Sequence, residues 1–99
     1  MLHIVNKSPF EKTSLETCLR LARPGSVLLL IEDAVYAAAR GNAAESKIRQ
    51  AARTLKVYAL SPDLEARGIR DKAIDGIELI DYGGFVDLVA EHTAVQSWL

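Results

Sequence analysis

The chain reads as a single α/β domain, residues 1–99, built on a mostly parallel sheet of about five strands with helices on both faces. Three observations lead there. The run Val27–Ile31 is apolar without a break, which is how a strand covered on both faces reads. Short β-rich segments alternate with helix start and stop signals, an order that implies right-handed βαβ crossovers. The 99 residues suit one domain, and the 49% apolar share is enough for a core. A chain this short still buries a smaller fraction of its surface than a longer one, so a partner surface completing its layers is expected.

"LHIVN" (Leu2–Asn6) is the first strand. "KSPFEKTS" follows with two helix-start signals: Ser8-Pro9-Phe10-Glu11 and Thr13-Ser14-Leu15-Glu16 each fit a capping box. Leu15, Cys18, Leu19 and Ala22 fall on one face of a helix over Ser14–Ala22, which Pro24-Gly25 ends. "VLLLIE" (Val27–Glu32) is the central strand. Asp33 is placed to cap a helix over "AVYAAAR", stopped by Gly41. Asn42 and Glu45 start another helix, with Ala44, Ile48 and Ala51 as its apolar stripe and Lys47, Arg49 and Arg53 on a solvated face. "KVYAL" (Lys56–Leu60) is the third strand. "SPDLEARG" (Ser61–Gly68) outlines a short helix: serine cap, proline at the first position, acid early, arginine late, glycine after. Arg70–Gly76 is loop, with a turn at Asp75-Gly76. "IELID" (Ile77–Asp81) is the fourth strand. Phe85, Leu88, Val89 and His92 share one face of a helix over Gly84–Glu91, and "VQSWL" (Val95–Leu99) fits an edge strand.

Twelve basic and 13 acidic residues give a net charge of −1. A dedicated nucleic-acid binder, which gains its affinity by neutralising phosphates, is not expected. The start "MLHIVNKSPF" has neither a basic n-region nor a long apolar stretch, so no signal peptide is expected. The longest apolar run is far too short for a bilayer. One cysteine excludes a disulfide within the chain and fits a reducing, cytoplasmic setting.

Ligands of open α/β sheets sit outside the carboxyl ends of the strands. Asn6, Lys7, Glu32, Asp33, Ser61, Asp81 and Tyr82 fall there, and capping is the favoured duty of Asp33 and Ser61. Glu32-Asp33 resembles the acidic cluster of a phosphoacceptor receiver domain, but Ser61-Pro62 follows the third strand where such a domain needs an aspartate. No P-loop, GxGxxG or CxxC motif occurs. His3 and His92 stand alone, without a second metal ligand at a useful spacing. No metal, nucleotide or flavin cofactor is called for. Cys18 shares the apolar helix face with Leu15, Leu19 and Ala22, where a free cysteine behaves as a small hydrophobe. It lies in the second turn, beyond most of the helix dipole's help, and Arg20 points to roughly the opposite side.

"MLHIVNKSPF", "LLLIEDAVYAA", "KVYALSPDLEARG", "IDYGGFVDL" and "VQSWL" resemble, in this order, the DsrH/TusB family of sulfur-relay subunits. "NKSPFEKTSLETCL" and "YGGFVDL" are more similar to the DsrH branch, which serves dissimilatory sulfur oxidation. The TusB branch serves 2-thiolation of the tRNA wobble uridine and usually lacks a cysteine at the position of Cys18. The resemblance implies a three-layer fold and a cytoplasmic heterohexamer with DsrE/TusD-like and DsrF/TusC-like subunits, each chain present twice. It also implies a DsrC/TusE-like sulfur carrier, and a relay persulfide carried by the DsrE/TusD-type subunit. Cys18 is then a candidate secondary sulfur acceptor in a mainly architectural chain. The expected function is that of a DsrEFH-type subunit. A TusBCD-type subunit, or an α/β interaction module outside the relay, is the alternative.

Overall fold

Five parallel strands form one sheet in the order β4-β3-β2-β1-β5. The computed structural model describes residues 1–99. The strands are β1 (Leu2–Val5), β2 (Val27–Leu30), β3 (Lys56–Leu60), β4 (Glu78–Ile80) and β5 (Val95–Trp98). The helices are α1 (Ser14–Leu21), α2 (Glu45–Ala51), α3 (Ser61–Ala66) and α4 (Tyr82–Glu91), with 3-10 segments at Glu32–Ala38 and Arg70–Lys72.

The layers follow from crossover handedness. From β1 to β4 the chain steps across the sheet in one direction, so every right-handed crossover lays its helix on the same face. The connection from β4 returns past three strands to pair β5 with β1, and α4 therefore covers the opposite face. The first face holds the main core, in which Val5, Leu28, Leu30, Val57 and Ala59 of the strands meet Leu15, Cys18, Ile48 and Leu64 of the helices. On the second face Leu2 and Leu29 meet Leu88, with Ile4, Tyr58, Ile80 and Phe85 packed around them and only partly buried. The register places Ile4, Leu29, Tyr58 and Glu78 in one row across four strands.

Several helix starts differ from expectation. Asp33 does not cap a helix: "EDAVYAA" winds as a 3-10 segment capped by Ile31 without a side-chain bond. The alanine-rich stretch is buried, and packing against the sheet overrides its α-propensity. Ser61 is no cap either, because α3 begins on it directly after Leu60. Neither expected capping box forms. Ser8 Oγ accepts from the Phe10 N–H at 3.2 Å in a tight turn, and Thr13 precedes α1 without a side-chain bond. The central strand ends at Leu30, two residues before its apolar-acidic run does. Helix α4 starts two residues earlier than its periodicity indicates, capped by Asp81, whose Oδ1 accepts from the Gly84 N–H at 2.8 Å. A Cβ on Gly84 would lie 3.0 Å from Ile80 Cβ, so glycine lets α4 begin tight against β4. Gly68, at φ 68°, closes α3 as expected.

Candidate functional site

At the carboxyl ends of β2 and β3 the polar candidates are spoken for by one another. Arg67 donates from Nε and Nη2 to Asp33 Oδ1 at 3.0 and 2.7 Å, and from Nη1 to the Asp63 carbonyl at 3.1 Å. Its guanidinium also lies 5.9 Å from the centre of the Tyr36 ring. Asp33 raises the Arg67 pKa further above its ordinary value. Asp63 Oδ2 accepts from the Glu32 N–H at 2.6 Å, and this bond holds Glu32 at φ 49°, a left-handed conformation uncommon outside glycine. Ser61 Oγ accepts from Arg70 Nε at 3.0 Å. The cluster is a clamp between the 3-10 segment, α3 and the loop after it. The two arginines that hold it sit in stretches where the sequence suggested only a helix end and a loop, and nothing in their spacing marks their partners.

At the strand where the order reverses, between β1 and β5, the surroundings differ. Asn6 follows β1, and its Oδ1 is buried with no hydrogen-bond partner. Ser14 Oγ donates to the Leu99 carbonyl at 2.8 Å, tying the chain's end to the start of α1. His3 is buried and accepts the Trp98 indole N–H on Nδ1 at 3.1 Å. Burial, reinforced by the positive amino terminus, lowers the His3 pKa from its ordinary value. His92 Nδ1 donates to the Leu88 carbonyl at 2.7 Å and so closes α4. Asp81 is spent as a cap, and Lys7 and Tyr82 are exposed.

Cys18 is fully buried in the main core, and burial pushes its thiol up to about 11. A thiol so placed is ionised in roughly one molecule in ten thousand at neutral pH. It is not brought together with any other sequence-predicted candidate. No group of three or more His, Cys, Asp or Glu side chains is arranged to hold a metal ion. No helix is long and apolar enough to cross a membrane.

Comparison with known proteins agrees with this architecture. A family model described as "DsrH like protein" matches residues 7–95. Protein TusB of Escherichia coli K12 is 42% identical over 98 residues, spanning 99% of this chain and all of that protein. Protein TusB of Shigella flexneri is 41% identical over the same length. The crystal structure of the ychN protein from E. coli superposes with a TM-score of 0.82 at 24% identity, covering 98% of this chain and 97% of that one. A protein of unknown function from Methanobacterium thermoautotrophicum follows at 0.74 and 17%, covering 97% and 95%. At these identities the two structures speak for the fold alone.

Proposed function

The chain belongs to the DsrH-like protein family, and from that membership we propose that it is a structural subunit of a cytoplasmic sulfur relay of the TusB type. The relay would deliver persulfide sulfur toward 2-thiolation of the wobble uridine in tRNA. The observation that carries this reading is the full-length 42% identity to TusB. It moves the weight from the DsrH branch, which the segment around Cys18 favours, to the TusB branch. Its partners are TusC-like and TusD-like homologues in a heterohexamer and a TusE-like carrier.

Within such a relay the reacting group is a thiolate that must meet a partner's sulfur. The buried, weakly acidic Cys18 thiol and the self-satisfied clamp at the strand ends support a chain that shapes the complex while the persulfide sits on another subunit. Deleting the gene and quantifying 2-thiouridine in digested tRNA tests the reading. Loss of the modification, restored by the wild-type gene, is expected. The DsrEFH-type second reading rests on Cys18 and its flanking segment. It predicts unchanged tRNA and impaired oxidation of stored or reduced sulfur.

A further inference from the structure

Two polar side chains at the amino end of the sheet are more than nine-tenths buried and still keep an unpaired polar atom. His3 is 5% exposed and Ser26 8%. Leu2 of β1 lies opposite Val27 of β2, so His3 and Ser26 stand one residue to either side of that pair on neighbouring strands. Side chains alternate along a strand, which turns both away from the α4 face and toward the α1 side. Ser26 is fixed by its backbone, which donates to the Arg23 carbonyl and accepts from the Lys56 N–H, both at 3.1 Å.

Trp98 decides what His3 offers. Nδ1 accepts the indole N–H, so the ring proton sits on Nε2 and that edge of the imidazole is a hydrogen-bond donor. Nε2 has no partner in the chain, and neither has the Ser26 hydroxyl. Neither atom is sealed in, since the one sealed side-chain polar atom without a bond is Asn6 Oδ1. Both residues line the same open cleft of about 580 Å³ at the end of α1. The rest of the lining defines what fits there. None of its seven residues is acidic, and Arg23 is exposed and joins no ion pair. Leu21 brings the carboxyl end of α1 to the rim, where the helix dipole is worth about half a negative charge, less than the full positive charge of the guanidinium. Leu21 and Met1, 60% and 56% exposed, make the rim apolar together with Pro24.

We propose that this cleft binds a carboxylate carried on a small apolar body. The carboxylate accepts from His3 Nε2–H and the Ser26 hydroxyl and pairs with Arg23, and the apolar body lies against Leu21, Pro24 and Met1. Trp98 is the positioning residue, because its indole fixes the imidazole tautomer that donates into the cleft. The site lies at the opposite end of the sheet from the Asp33–Arg67 clamp and does not depend on the relay reading.

Nuclear magnetic resonance of the full chain at neutral pH tests it, with hexanoate, hexanamide and inorganic phosphate as probes and the ring signals of both histidines as readout. His92, outside the cleft, is the internal reference. Hexanoate should shift His3 alone, along one saturable curve in roughly the millimolar range. Hexanamide, which lacks the charge, and phosphate, which lacks the apolar body, should bind roughly tenfold more weakly. Arg23→Gln should weaken hexanoate to the level of the amide, and Ser26→Ala should weaken it less. Lys12→Gln, exposed and at the other end of α1, repeats the charge change and should have no effect. N-acetyl-glycyl-leucine binding more tightly than hexanoate would mark a chain terminus as the source of the carboxylate, and weaker binding would mark a free acid. Amide or phosphate binding as tightly as hexanoate would overturn the site. So would an Arg23→Gln chain that binds like wild type, or His92 shifting in step with His3.

Discussion

The indole N–H of Trp98 is bonded to Nδ1 of His3 at 3.1 Å, joining the last strand to the first across 95 positions of sequence. To accept this bond the imidazole must be neutral, with its proton on Nε2. The lowered His3 pKa agrees with that state. Because the folded pKa lies below the unfolded 6.5, the linked stability is fully present above pH 6.5 and is lost as pH falls through the folded value. Trp98 is the only tryptophan, and a protonated imidazole quenches indole emission. Fluorescence of the folded chain should therefore fall along a single titration with a midpoint below 6.5, and His3→Gln should flatten it. A midpoint above 6.5 would contradict the bonded geometry.

Asp33 holds Arg67 rather than a helix end, and this changes what its substitutions do. A cap tolerates asparagine, whereas an ion pair does not. Asp33→Asn and Asp33→Ala should cost about the same, near 1 kcal/mol, since the carboxylate is more than half exposed. Arg67→Ala should cost more, about 2 kcal/mol, because it also frees the Asp63 carbonyl and the Tyr36 ring. Urea melts of the three variants check this. An Asp33→Asn chain as stable as wild type would return Asp33 to the role of a cap.

Asn6 buries an acceptor that finds no partner in the chain. An unmet buried acceptor costs about 1–3 kcal/mol, so Asn6→Ala should leave the isolated chain as stable as before or raise its melting temperature. A clear loss of stability would mean that the amide is satisfied in solution.

Cys18 separates packing from chemistry by the size of two substitutions. Cys18→Ala removes one buried atom and should cost about 1 kcal/mol. Cys18→Ser buries a hydroxyl in an apolar core and should cost more, about 1–3 kcal/mol. Thermal melts giving the reverse order would place a polar partner or solvent at the thiol.

The strand sequence of the fold was legible because each strand is a short apolar run punctuated by glycine, proline or acid. Buried strands must be apolar on both faces, and "VLLLI" shows it directly. The helix starts were less legible. Asp33, Ser61 and Thr13 stand where a capping side chain belongs, yet none makes that bond; Asp33 is taken by Arg67, and Ser61 lies at the tight exit from β3 and accepts from Arg70. Asp81 does cap α4, and the cap fell at the end of a predicted strand instead of inside the helix signal. Arg67 and Arg70 draw together positions 34 and 9 residues away, and side-chain pairing over such separations leaves no periodic trace. The outer side of α4 is less legible for a different reason: Val89 shares helical spacing with Phe85, yet it is 39% exposed while Leu88 beside it is buried.

The central claim is that this chain is required for sulfur relay without carrying the sulfur. Reconstitute the proposed complex with TusC-like and TusD-like subunits, add a TusE-like carrier and a persulfide donor, and follow the intact mass of every chain over time. Sulfur should appear on a partner subunit and then on the carrier, never on this chain, and Cys18→Ala should change nothing. Omitting this chain should stop delivery to the carrier. Rapid gain of one sulfur atom by this chain, absent from Cys18→Ala, would contradict the claim, as would full delivery without the chain.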